Sequence, residues 1–280
     1  MNKNLNYLFK LSFIFLFAVL FLPSCKPRAV RIQKKEKDIS LAKILVKKEF
    51  IIGIRDDYPP FSFLNLFTTK LEGYDIEVAE ELCRKMKIKP VFKVIKWDQR
   101  DKLLKDGEID CIWSAFAYSK ERNEAYSLTS PYIKSAIILV VKDKSPYYSI
   151  QDIREKKIGV MFSSSVQASL KKAEFTHGVF KRTVVFRNTQ EALNALEKDE
   201  VECVVYDLLS INSLIQTRKG SYRVLDEAIS YEEYVIAFRK EDIALMNAVE
   251  STLEDMAQTT DFLEKTSKKW FGANISIIGR

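Results

Sequence analysis

The chain has 280 residues, of which 47% are hydrophobic and 30% are charged, and its formal net charge is +7. This length exceeds one typical core and predicts two lobes. Most of the positive charge is local, because residues 26–40 contain six basic and only two acidic residues. The globular remainder is close to neutral, which argues against a nucleic-acid-binding protein. One histidine and four cysteines, without a Cys-x-x-Cys pair, argue against a transition-metal site. We therefore expect no cofactor.

The N-terminus has the features of an export signal. Two lysines, Lys3 and Lys10, precede an apolar run over residues 11–22 that is too short for a comfortable bilayer span. The run ends in Leu22-Pro23-Ser24-Cys25, which resembles a bacterial lipobox. We predict a signal peptide over residues 1–24, palmitate-type lipidation of Cys25, and a basic tether over residues 25–40. A retained N-terminal membrane anchor is the alternative. Either reading predicts an exported protein held at a membrane, on the periplasmic or cell-surface side.

After the tether, short apolar strands alternate with amphipathic helices, which predicts an α/β fold. The predicted strands cover residues 50–54, 91–95, 109–116, 132–141, 157–161, 184–186, 201–206 and 233–239. The predicted helices cover residues 75–86, 98–105, 149–155, 208–216, 244–256 and 262–269, and further helices begin at Ser119, Val166 and Asn188. Cys83 falls on a helix and Cys111 and Cys203 fall on strands, so we expect buried, inert thiols.

Several motifs follow one another along the chain: Gly73-Tyr74-Asp75, Trp97-Asp98, Gly107-Glu108-Ile109-Asp110, the strand–loop–helix of residues 109–122, and Ser130-Pro131-Tyr132. In this order and spacing they resemble the extracytoplasmic solute-binding proteins of ABC importers, specifically the polar amino-acid-binding family. The resemblance covers about residues 50–271. It implies a two-lobed type II periplasmic-binding-protein fold, with the ligand in a cleft between the lobes. Lobe 1 would comprise residues 41–134 plus 231–280, lobe 2 would comprise residues 135–230, and two strand-like hinges would join them.

The resemblance also implies a site for the charged groups of an α-amino acid. Arg122, Ser164 and Ser165 match the family's donors to the ligand carboxylate. Asp207, Ser114 and the carbonyl of Ala115 match its acceptors for the ammonium group. Other roles are open for these residues, because Arg122 could be a solvated surface charge, the serines could cap a helix, and Asp207 could cap the helix beginning at Leu208.

Two positions depart from the family pattern. Ala117 stands where a serine or threonine hydroxyl is common, and its loss removes about 1 kcal/mol of hydrogen bonding. Ser163 stands where glycine is usual, which restricts the loop.

The family resemblance also implies which residues form the walls of the cleft and which face the side chain of the ligand. Tyr58, Trp97 and Phe116 match aromatic positions that sandwich the ligand. Arg55 and Arg100 fall where members that bind glutamate or aspartate have arginines. Two guanidinium groups would repel a basic side chain and favour a carboxylate or amide. The adjacent Asp56 and Asp57 could neutralise Arg55.

We therefore expect a non-enzymatic, monomeric binding protein for a small polar amino acid, with glutamate, aspartate or glutamine favoured. Hinge closure would present the ligand to an ABC permease in the inner membrane, with a lipid anchor and no nucleic-acid partner. One alternative is a surface lipoprotein that keeps the fold but binds a protein or a non-standard ligand. Another is an enzyme of the same fold resembling cyclohexadienyl dehydratase.

Overall fold

The computed structural model describes residues 37–161, 166, 170, 182–186, 189–217 and 220–279. The α-helices within them are α1 Ser40–Lys47, α2 Tyr74–Met86, α3 Arg100–Lys105, α4 Lys120–Ala125, α5 Thr189–Glu197, α6 Leu208–Thr217, α7 Ile243–Thr259 and α8 Phe262–Phe271. The strands are β1 Glu49–Ile54, β2 Asp57–Tyr58, β3 Ser62–Asn65, β4 Lys70–Glu72, β5 Lys89–Val94, β6 Cys111–Ala117, β7 Tyr126–Leu128, β8 Ile133–Lys142, β9 Lys157–Met161, β10 Arg182–Phe186, β11 Cys203–Asp207, β12 Tyr222–Val224 and β13 Ser230–Arg239. No helix in the described ranges is long and apolar enough to cross a bilayer.

The predicted strands are confirmed, with shifted ends, but one predicted helix is wrong. Residues 149–155 form only a short 3₁₀ turn, Gln151–Ile153. The Asp152 carboxylate accepts the backbone N–H groups of Tyr148 and Ser149 at 2.8 Å each. These bonds cap the start of the turn. The predicted helix start at Asn188 lies outside the described residues.

Two parallel halves and a central antiparallel pair form the main sheet, which has ten strands within the described part of the chain. β1 pairs in parallel with β5 and β6, and β9 pairs in parallel with β10 and β11. The long strands β8 and β13 lie between these halves and pair antiparallel, from Ile133 opposite Tyr234 to Ile137 opposite Ser230. The predicted crossings at residues 133–136 and 228–231 fall within or beside this paired segment. The lobe boundaries drawn from them stay a prediction.

Each parallel half has its own buried apolar residues. One core contains Phe50, Leu82 and Trp113 together with Val249 and other residues of the C-terminal helices. Separate cores surround Val160 and Leu193 in the other half. The chain after β13 therefore returns to pack on the half built from the first strands.

The three described cysteines lie in these cores. Cys83 and Cys111 belong to the first core and Cys203 belongs to the core around Val160. All three are free and buried, as predicted. Burial raises the pKa of each thiol. These thiols are therefore poorly reactive in the folded protein.

Candidate functional site

The end of β6 and the start of α4 hold Arg122 against the protein. Ser119 caps α4, and its hydroxyl accepts the Arg122 backbone N–H at 3.2 Å. The Arg122 side chain folds back, so that Nη1 donates to the Ala117 carbonyl oxygen at 2.5 Å. Its guanidinium carbon lies 4.1 Å from the centroid of the Phe116 ring. The Arg122 side chain is therefore packed against β6 and is not a solvated surface charge.

Two further arginines and two further aromatic rings surround this point. The rings of Trp97 and Phe116 pack edge to face with centroids 6.0 Å apart. The guanidinium carbon of Arg100 lies 5.2 Å from the Trp97 ring centroid. That of Arg55 lies 5.7 Å from the Trp97 centroid and 4.8 Å from the Tyr58 centroid. The structure thus brings together the three predicted arginines and the three predicted aromatic residues, and we call this group the arginine–aromatic cluster.

The acidic partners of the cluster on the first half are mostly in solvent. Asp57 pairs with Arg55 Nε at 2.8 Å, and Asp101 pairs with Arg100 Nε at 3.2 Å. Their side chains are 56% and 55% exposed, so water screens both pairs. Burial and the nearby Arg100 charge lower the pKa of Arg122. An anion bound between these guanidinium groups would be stabilised.

Asp207 ends β11 and lies close to the cluster. It is only 1% exposed. Its Oδ1 accepts the Ser210 backbone N–H at 2.8 Å, so the helix-capping alternative is confirmed. Its Oδ2 accepts the hydroxyl groups of Ser135 on β8 and Tyr234 on β13, each at 2.5 Å. Burial raises the pKa of Asp207, and burial together with the Asp207 charge raises the pKa of Tyr58.

Ser114 and Ala115 occupy the buried part of β6. The Ser114 hydroxyl is 2.7 Å from that of Ser62 and accepts the Arg55 backbone N–H at 3.3 Å. It therefore ties the first half of the molecule together whether or not it also contacts a ligand. Ala115 has a positive φ of 43°. Ala117 is buried, and its methyl side chain offers no hydrogen-bonding group.

Sequence reasoning missed two buried acidic residues. Asp75, at the start of α2, is 1% exposed and accepts the Ala115 backbone N–H at 2.9 Å. Glu232 on β13 is 9% exposed, and its charge acts on both Arg122 and Tyr234. The sequence signal that could have indicated their burial is an acidic residue within an otherwise apolar helix stripe or strand. Three predicted residues, Ser164, Ser165 and Cys25, lie outside the described residues.

Comparison with known proteins identifies solute-binding proteins as the relatives of this chain. The family model for bacterial extracellular solute-binding proteins, family 3, matches residues 50–273. The L-cystine-binding protein TcyJ of Escherichia coli K12 is 28% identical, over 84% of this chain and 87% of that protein. The ABC transporter glutamine-binding protein GlnH of Bacillus subtilis is 25% identical, over 94% of this chain and 96% of that protein.

Solved structures show the same relationship. A structure of Tv2483 bound to L-arginine has a TM-score of 0.79 and 31% identity, covering 87% of this chain and 99% of that one. An ABC uptake transporter substrate-binding protein from Streptococcus pneumoniae with bound histidine has a TM-score of 0.78 at 24% identity, covering 86% and 98%, and supports the fold alone. The fold is the two-lobed α/β fold of type II periplasmic binding proteins, as predicted. The chain belongs to the bacterial extracellular solute-binding proteins of family 3, whose relatives here are amino-acid-binding proteins of ABC transporters.

Proposed function

We propose that the protein binds an α-amino acid with an acidic or amide side chain, namely glutamate, aspartate or glutamine, and delivers it to an ABC permease. The observation that carries the proposal is the arginine–aromatic cluster. Arg122 would bind the ligand carboxylate through two parallel charge-assisted hydrogen bonds. Arg55 and Arg100 would face the ligand side chain. Trp97, Phe116 and Tyr58 would form the walls around it.

The position of Arg55 bears directly on the choice of side chain. Its guanidinium group already lies against the Tyr58 and Trp97 rings, at 4.8 and 5.7 Å from their centroids. A ligand guanidinium or ammonium group would compete for the same ring faces and would meet a like charge. The Asp57 pair weakens this repulsion but does not remove it, because Asp57 is largely in solvent.

Delivery would depend on closure of the two lobes around the ligand. Asp207 is hydrogen-bonded to β8 and β13, so an ammonium group bound to it would connect directly to the strands between the two halves. Ser114 and the Ala115 carbonyl would add acceptors, and Ser164 and Ser165 would add donors from the other lobe. Lipidation of Cys25 would keep the protein near its permease, with the basic tether of residues 25–40 as spacer.

Titration calorimetry on residues 26–280, refolded to remove carried ligand, tests the proposal. The panel should hold the twenty amino acids and L-cystine. We expect micromolar binding of glutamate, aspartate or glutamine, about 8 kcal/mol. Arg122→Ala should abolish it and Arg55→Ala should weaken it. Arg84→Ala, at a side chain 70% exposed, is the control and should leave affinity unchanged. Tighter binding of arginine than of glutamate would contradict the proposed side-chain preference.

A solute without an α-ammonium group is the second candidate. Asp207 already accepts three hydrogen bonds from the protein, and Ala117 lacks a hydroxyl group. Both features weaken recognition of an ammonium group, whereas the arginines remain suited to carboxylates. Glutarate, which is glutamate without its amino group, separates the candidates. Glutarate binding equal to or tighter than glutamate binding would favour the second one.

A further inference from the structure

Ala115 has a backbone conformation that is unusual inside a buried strand. Its φ of 43° lies in the left-handed region, which costs a residue with a side chain about 1–2 kcal/mol. The register of β6 against β13 breaks at the same place. Phe116 lies opposite Val235 and Ile112 lies opposite Ala237, so the three residues of β6 between these pairs face a single residue of β13. Ala115 therefore sits in a bulge within the strand that leads to the site.

The Asp75 side chain stabilises this bulge through hydrogen bonds. Its carboxyl Oδ2 accepts the Ala115 backbone N–H at 2.9 Å, and its Oδ1 accepts the Tyr132 hydroxyl at 3.0 Å. Without Asp75, the Ala115 N–H would lose its partner in a buried place, at a cost of about 1–3 kcal/mol. This bond opposes relaxation of Ala115 to an ordinary extended conformation.

The residues after the bulge carry the contacts of Arg122. The Phe116 ring lies under its guanidinium group, and the Ala117 carbonyl accepts its Nη1 at 2.5 Å. A bulge re-aims the side chains and carbonyl groups that follow it. Relaxation at Ala115 would turn the Phe116 ring and the Ala117 carbonyl away from their present directions. Arg122 would then lose both contacts that hold it against β6.

We propose that Asp75 is a positioning residue for the ligand site, which fixes the Ala115 bulge and thereby the orientation of Arg122. Asp75 does not contact the ligand and acts only through the backbone of β6. The ligand part of this inference rests on the proposed function, whereas the backbone part does not.

Hydrogen exchange read at single amides tests the backbone part without any ligand. In the wild-type protein the Ala115 amide should be as protected as the paired amides of β1. Asp75→Ala should lower its protection at least tenfold, with the β1 amides changed much less. Asp75→Asn, which keeps a carbonyl acceptor, should stay within threefold of wild type. Tyr132→Phe removes another of the donors to Asp75, beside Trp113, and should leave the Ala115 amide protected.

Calorimetry with the tightest amino acid of the panel tests the ligand part. Asp75→Ala should weaken binding at least tenfold, and Asp75→Asn and Tyr132→Phe should each change it less than threefold. Equal losses of binding affinity in Asp75→Ala and Tyr132→Phe would show that Asp75 acts only as a general core residue, which would overturn the proposal. So would fast exchange of the wild-type Ala115 amide, a result that requires no variant to fold. If no amino acid binds, the proposed function fails, and the exchange result still decides the role of Asp75.

Discussion

Replacing Asp75 by asparagine should change how stability depends on pH. Burial raises the pKa of Asp75 from its ordinary value of 3.8 to about 7, against hydrogen bonds that lower it. Between these values the folded protein keeps the proton and the unfolded chain releases it. The free energy of unfolding therefore falls as pH rises through this range. At about 1.4 kcal/mol per pKa unit, the free energy of unfolding falls by about 4 kcal/mol in total. About 3 kcal/mol of this decrease occurs between pH 4.5 and 7.

Urea unfolding of wild type and Asp75→Asn at pH 4.5, 5.5, 6.5 and 7.5 measures this effect. Asparagine does not titrate, so the stability of wild type relative to the variant should fall by about 3 kcal/mol from pH 4.5 to 7. Asp261→Asn provides a control without pH dependence in this range, because a hydrogen bond from Lys265 lowers the pKa of Asp261 further below its ordinary value of 3.8, so its curve should run parallel to that of wild type. Parallel curves for wild type and Asp75→Asn would refute the reasoning.

Three further predictions concern packing and are measured by urea unfolding at pH 7. Arg239→Ala removes two hydrogen bonds to backbone carbonyls, at 2.8 and 2.9 Å, and should cost about 3 kcal/mol. The control Arg84→Ala, at an exposed side chain, should leave the free energy of unfolding almost unchanged. Phe61→Ala, at a fully buried ring, should cost about 4 kcal/mol, and Phe67→Ala, at a ring 99% exposed, should cost almost nothing. Gly73→Ala should cost at least about 3 kcal/mol, because its Cβ would lie 2.2 Å from a backbone oxygen. A small effect for any of the buried changes would contradict the packing described.

Strands and helices with a long apolar pattern were predictable from the sequence. β6 and β8 are almost continuously buried, and α2 carries a clear apolar stripe. The small sheet of β2, β3 and β4 was not predicted, since its strands have only two to four residues and no readable periodicity. Such short pairings depend on tertiary contacts, which local propensity does not contain.

The residues of the arginine–aromatic cluster were predicted from family motifs, and the structure shows that they lie together. The roles assigned to them stay predictions until a ligand is measured. The Ala115 bulge and its hydrogen bond to Asp75 were not predictable. Alanine has no preference for the left-handed region, so nothing at Ala115 indicated a bulge. Asp75 looked like an ordinary acidic residue in the first turn of a helix, and only its burial reveals the contact with β6.

The three buried cysteines give the protein internal reporters of local opening. Cys83 and Cys111 lie in the core formed by the first strands and the C-terminal helices, and Cys203 lies in the core around Val160. A thiol reagent that modifies Cys203 first would show that the half around Val160 opens while the other half stays folded. Simultaneous modification of all three would show that both halves unfold as one cooperative unit. The order of labelling therefore measures how strongly β8 and β13 couple the folding of the two halves.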